Sequence, residues 1–234
     1  MWRNTPVSEE IFQRLPVSLE LGLFAVVTSL LIALPVGVYS AIRQDTASDY
    51  AGRTLAILAI SLPAFWLGTM VIVYPSIWWN WVPPMQYIPF PQNPMGNIMQ
   101  FLLPGFLMGM VTSGSLMRMT RTMMLEVLRQ DYIRTAWAKG LPERTIIVRH
   151  ALKNALIPVI TILGTHLSIM ISGTVVIEQI FALPGVGRLV IDALNKRDYP
   201  LVSGINMMVS SFVLIMNLVV DLAYGYLDPS VVYK

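Results

Sequence analysis

Long uncharged apolar stretches alternate with short polar ones along this chain, and their lengths set the predicted elements. About 20 apolar residues, rising about 1.5 Å each, cross a hydrocarbon core of about 30 Å. Stretches of that length lie at about 19–42, 55–78, 99–117, 156–177 and 201–224. The second is interrupted by Pro63 and Pro75. Between the second and third, Asn80 to Asn97 contains Pro83, Pro84, Pro89, Pro91 and Pro94, which excludes a continuous helix. That piece is predicted to be an external loop, with Trp78, Trp79, Trp81 and Tyr87 as interfacial anchors. The pattern predicts an all-α fold: a polytopic membrane helix bundle of about five transmembrane helices, with residues 1–234 as a single transmembrane domain.

Composition supports the membrane class. Hydrophobic residues make up 55% and charged residues 12%, with a mean hydropathy of +0.63. From Thr54 to Met117 there is no Asp, Glu, Lys or Arg, whereas a soluble domain of that size needs charged surface. The absence of cysteine excludes disulfides and thiolate metal sites. A pI near 9.3 invites a nucleic-acid reading, but the positive charges flank apolar spans, which assigns them to membrane orientation. Placing residues 118–155, Arg43, Arg53 and the C-terminus in the cytoplasm puts eleven basic residues inside and leaves Arg3, Arg14, Arg188, Lys196 and Arg197 outside. The N-terminus is then external, and an odd number of spans beginning outside predicts a further transmembrane helix ahead of this chain. Met1 to Leu19 is polar and shows no cleavable signal.

The segment 118–155 concentrates the charge. Asp131 is predicted to N-cap a short helix over Tyr132 to Lys139, and Gly140 to end it in the left-handed conformation. Pro142 then suits the first turn of a second short helix, with Glu143 near its positive end and Arg149 and Lys153 near its negative end. On the first helix Ile133, Ala136 and Trp137 form an apolar stripe beside Arg134 and Lys139. A tryptophan on such a surface points to helix-in-groove docking, and an interfacial helix on anionic lipid is the alternative.

Asp131-Tyr-Ile-Arg-Thr-Ala-Trp-Ala-Lys-Gly-Leu141, followed by Arg149-His-Ala-Leu-Lys-Asn-Ala-Leu-Ile-Pro158, resembles the cytoplasmic EAA loop of bacterial ABC-importer permeases. The dipeptide, oligopeptide and nickel subgroup is most similar. Arg134, Thr135 and Ala136 stand at the Glu-Ala-Ala positions, and Gly140 at the motif glycine. The resemblance continues through Val176 to Arg188, Arg197-Asp-Tyr-Pro200, Asp221 to Pro229, and Arg14-Leu-Pro16 with Leu19-Glu20-Leu21. It implies a translocation subunit of the inner membrane with a cytoplasmic C-terminus. The implied partners are two ATP-binding subunits, a second homologous permease and a periplasmic solute-binding protein. It also implies an ATPase-coupling role for Asp131, Arg134, Thr135, Ala136, Trp137, Lys139, Gly140, Glu143 and Arg144. Six spans are usual in such permeases, which again predicts a helix upstream of this chain.

No Gly-x-x-x-x-Gly-Lys-Ser/Thr phosphate loop is present, so ATP chemistry is expected elsewhere, and no enzyme activity, cofactor or metal site is predicted. Two spans carry small residues every fourth position, Gly105, Gly109 and Ser113, and Gly164, Ser168 and Ser172, a spacing that lets helix backbones approach. Glu20, Glu178 and Asp221 lie near span ends, and Glu178 reads as a structural anchor rather than a solute contact. His166 reads as an interhelical hydrogen-bonding group, His150 as packing, and the methionines as apolar filler. Arg43, Arg53, Arg118 and Arg121 read as orientation anchors. A stand-alone channel and a membrane-embedded enzyme are the competing functions, the second lacking converging acid, base or metal ligands.

Overall fold

A computed structural model describes residues 5–84 and 86–227, and the side chains of all these except 165–173 and 223–227. Its helices are α1 (Val7–Ile42), α2 (Ala47–Ser61), α3 (Ala64–Trp79), α4 (Pro94–Leu128), α5 (Asp131–Ala138), α6 (Glu143–Thr145), α7 (Lys153–Ile180), α8 (Val186–Asn195) and α9 (Tyr199–Leu227). A π-helical segment, Ile146–Leu152, joins α6 to α7. There is no strand among the described residues, as the hydropathy pattern predicts.

The helices differ from the predicted spans in ways that proline and charge explain. The stretch 55–78 is not one helix: α2 and α3 meet at an angle of 89°. Pro63 lacks an N–H and forces Leu62 out of the helical region, to φ −89° and ψ 121°. Pro75, by contrast, stays inside α3. The helix α1 starts at Val7, well before the predicted start at 19, and α4 runs on to Leu128, through the first part of the predicted loop. At 36 and 35 residues these helices measure about 50 Å each, longer than a hydrocarbon core, so both project from it.

Parallel α1 and α4 form the centre, with Glu20 beside Asn97 at one end and Gly37 beside Thr120 at the other. A Cβ on Gly109 would stand 2.6 Å from the Ala25 carbonyl oxygen and from Thr28 Cβ, and one on Gly105 would strike Phe24. Backbone contact of that kind is what the four-residue spacing in α4 allows. Ser113 is buried and donates to the Met110 carbonyl, while Gly114 packs on α2 at Ala56. Gly164 meets Val220 of α9; the side chains of Ser168, Ser172 and His166 lie outside the described residues.

The two ends of the bundle are built differently. At one end, called the basic end below, lie the α1–α2 turn, the C-terminal end of α4, and α5. At the other lie the proline-rich connection 80–93 and α8. Gln100 ties that connection down, donating to the Pro84 and Gln86 carbonyls and accepting from the Ile88 N–H, and Asn97 donates to Glu20 and to the Ile88 carbonyl. Trp78, Trp79 and Trp81 are exposed, but Tyr87 turns inward, edge-on to Phe101. Burial and the neighbouring Glu20 carboxylate raise the Tyr87 phenol above its ordinary pKa. Tyr87 is therefore a packing residue, in correction of the anchor role predicted for it.

Candidate functional site

At the basic end the chain folds into an elbow around Gly140. The helix α5 begins one residue earlier than predicted: Gln130 is the N-cap, and Asp131 lies inside the first turn, where its charge still suits the positive helix end. Asp131 pairs with Arg134 at 3.4 Å, but both side chains are almost fully solvated, so the pair adds little. The C-terminal end is closed as a Schellman motif. Gly140 N–H donates to the Trp137 carbonyl at 2.9 Å and Leu141 N–H to the Ala136 carbonyl at 3.4 Å, with Gly140 at φ +72°. An added Cβ there would meet nothing within 4 Å, so only the left-handed backbone requires glycine. Gly140→Ala is expected to cost about 1–2 kcal/mol through that backbone conformation alone, measurable as a lowered unfolding midpoint in detergent.

Beyond the elbow the predicted second short helix does not end. Pro142 is the N-cap, Glu143 and Arg144 open the helix, and it continues through the π segment into α7. No residue between 143 and 157 breaks it, and Pro158 is accommodated inside α7. Arg149 and Lys153 therefore sit mid-helix, not at a negative terminus, which corrects the two-short-helix reading.

Packing splits the predicted apolar stripe. Ile133 and Ala136 are buried against Ala41 of α1, Met124 of α4, and Ile146, Ala151 and Ala155 of the helix that follows. Trp137 instead is 48% exposed. Around the outer side of α5, Asp131, Arg134, Thr135 and Lys139 are also exposed, as are Gly140, Glu143 and Arg144 beyond it. Tyr132 is tethered, its hydroxyl accepting from Asn154 Nδ2 at 2.8 Å. The result is a helix whose inner face belongs to the bundle and whose outer face carries an indole among mixed charges.

Beneath α5 lies a contact that local spacing does not reveal. Asp49, fully buried at the start of α2, accepts from Arg121 Nε at 2.8 Å and Nη2 at 2.7 Å. Ser40 donates to the same carboxylate, and the Asp45 N–H donates at 3.1 Å. Ser40, Asp49 and Arg121 thus bind the ends of α1, α2 and α4 together. Met124, one turn beyond Arg121, is part of the apolar seat of α5. Arg121 is more than an orientation anchor.

At the opposite end, buried Glu178 accepts from Ser18 Oγ at 2.6 Å and from the Arg188 N–H at 2.9 Å, while Ser18 Oγ accepts from the Val186 N–H at 2.8 Å. These bonds cap the N-terminus of α8 and leave no lone carboxylate facing solute, so the structure places Glu178 as an anchor. Arg188 closes the turn from the other side, donating to the carbonyl of Ala182, whose φ is +54°. Among the described residues no three His, Asp or Glu side chains converge to hold a metal ion.

Comparison with known proteins places this geometry. Residues 33–233 match the family described as "Binding-protein-dependent transport system inner membrane component". A putative peptide transport system permease protein of Brucella suis is 41% identical, the match covering 98% of this chain and 73% of that protein. The dipeptide transport system permease protein of Escherichia coli (strain K12) is 37% identical over 100% of this chain and 76% of its own length. That of Bacillus subtilis is 41% identical over 96% and 70%. Among solved structures, an inward-facing form of the MetNI methionine ABC transporter shares the fold, with a TM-score of 0.77 at 14% identity over 97% of this chain and 100% of that one. The chain therefore belongs to the binding-protein-dependent transport system inner membrane components, and is a translocation subunit of an ABC importer rather than an enzyme.

Proposed function

We propose that this permease carries peptides or related small solutes and that α5 with its elbow is the surface on which separate ATP-binding subunits act. The observation that supports it is the division of α5. Its inner residues, Ile133 and Ala136, share one apolar cluster with the ends of α1, α4 and the α6–α7 helix, while Trp137, Arg134 and Lys139 face outward. A push on the outer face is therefore a push on three spans. Coupling requires that the partner contact two transporter states differently, and a helix rigidly seated on the bundle transmits such a difference.

The excess of basic residues supports a cytoplasmic position for this end, and for the C-terminus, in a bacterial cell. Two ATP-binding subunits then lie beneath it, a second permease of the same family lies alongside, and an external binding protein meets the α8 end. Peptide as the solute rests on the peptide and dipeptide permeases that this chain resembles at 37–41% identity.

An exposed tryptophan at the centre of such a contact is the residue type that dominates binding energy, worth about 2 kcal/mol or more. Trp137→Asp is expected to weaken ATPase-subunit binding at least about 30-fold, with the permease still inserted, and Gly140→Pro to do the same by misdirecting the helix. Co-purification with the ATPase subunits, alongside peptide uptake in cells, reads both. Undiminished co-purification of the Trp137→Asp variant would sink the coupling assignment.

A further inference from the structure

The last helix, α9, divides its exposed side into two chemistries. Advancing about 100° per residue, Ser203, Asn206, Ser210, Asn217 and Asp221 fall within one arc about 60° wide. All five are exposed. The adjoining arc carries Met207, Leu214, Ile215, Leu218 and Leu222, which are 57–75% exposed. The remaining side packs inward over most of its length, with Leu201 and Ile205 buried and Val220 against Gly164 of α7, although Val219 is half exposed. One exposed arc is thus suited to lipid and its neighbour is not.

Two features separate the polar arc from ordinary interhelical polar contacts. It runs through the membrane: 18 residue steps from Ser203 to Asp221 rise about 27 Å, nearly the full hydrocarbon thickness. Helix pairing usually relies on small residues and one or two hydrogen bonds, whereas a polar line that recurs in both halves of a span, here with a two-turn gap between Ser210 and Asn217, matches a water-filled route. Its hydroxyls are also placed differently. Ser211, in the apolar arc, folds back to donate to the Met207 carbonyl at 2.8 Å. Ser203, Asn206 and Ser210 form no side-chain hydrogen bond to another described residue, whereas Asn217 does have an interaction partner.

We propose that this edge of α9, from Ser203 to Asp221, lines the aqueous path through the permease, where its hydroxyl and amide groups exchange hydrogen bonds with water and with the amide groups of a passing solute. The proposal rests on the translocation reading above and deepens it by naming the wall of the route. A series of weak, interchangeable hydrogen bonders suits solutes that share a peptide backbone and differ in side chains.

The chain contains no cysteine, so each position can be tested singly. The transporter, assembled with cysteine-free partner subunits in membranes, is treated with a membrane-impermeant cationic methanethiosulfonate. Rates are normalised to labelling in denaturant, so that low reactivity reports access. The matched pairs are Ser210→Cys against Ser211→Cys and Asn217→Cys against Leu218→Cys, each at one depth but about 100° apart. The polar-arc cysteines are expected to react at least about tenfold faster, since a thiol facing lipid is rarely ionised and never meets the reagent. Equal rates within both pairs would overturn the proposal, as would disulfide formation between the polar-arc cysteines and the second permease. Because labelling reads water access without ATPase binding or a chosen solute, its failure is distinguishable from failure of the coupling and peptide assignments.

Discussion

Arg121→Ala is expected to destabilise the bundle by about 3–5 kcal/mol, because it strips the partner from a carboxylate that has no other route to solvent. Asp49 is 0% exposed and receives both guanidinium bonds. Ser40 and the Asp45 N–H remain after the substitution, but they are neutral donors and do not balance the charge. Unfolding in mixed detergent, followed by helix signal, measures the loss. Arg121→Lys should recover only part of it, since an ammonium cannot match both carboxylate oxygens at once. Removing both charges together, as Asp49→Leu with Arg121→Met, is expected to restore most of the stability, since a packed apolar pair avoids the desolvation penalty. A loss below about 1 kcal/mol in the single variant would show that water or another cation replaces the guanidinium. If α5 couples to the ATPase subunits as proposed, the same substitution should weaken that coupling, because Met124 and the seat of Ile133 and Ala136 lie one turn away.

Hydropathy made the spans legible because the membrane requires long uncharged helices, and Gly140 made the elbow legible because few residues tolerate φ +72°. Helix ends were less legible. Charge marks where a helix leaves the bilayer, not where it stops: with no proline between Pro104 and Pro142, α4 carries Arg118, Arg121 and Glu126 without interruption. For the same reason the basic run Arg144 to Lys153 reads as a separate short helix but folds as the root of α7. The split of Ile133 and Ala136 from Trp137 depends on where the ends of α1 and α4 stand, which residue spacing on α5 does not contain. Asp49 with Arg121, and Ser18 with Glu178, lie 72 and 160 positions apart in the chain, so no local window joins them. The corresponding signal in sequence is indirect: a carboxylate next to an apolar run needs a donor somewhere.

The tie between Glu178 and Ser18 yields the second large effect, and it comes with a test of mechanism. Glu178→Ala leaves the Arg188 N–H and the Ser18 hydroxyl without their acceptor in a buried place and opens a cavity. Unsatisfied buried donors cost about 1–3 kcal/mol each, so a total of about 3–5 kcal/mol is expected. Proteolysis around 181–188 should also rise as α8 loses its cap. Gly185 sharpens the argument. Its backbone is extended, with φ −91° and ψ −178°, a conformation open to any residue, yet a Cβ at that position would lie against the Glu178 carboxyl group. Space, not conformation, demands glycine there. Gly185→Ala should therefore destabilise the native protein, by about 1–3 kcal/mol. In the Glu178→Ala background it should be nearly neutral, because its methyl group enters the vacated volume. Additive losses in the double variant would place the cost of Gly185→Ala elsewhere in the turn and detach the glycine from the carboxylate. Coupling of the two would identify the Glu178 to Arg188 stretch as one packed cap, whose job is to fix α8 on the end of the bundle away from the Gly140 elbow.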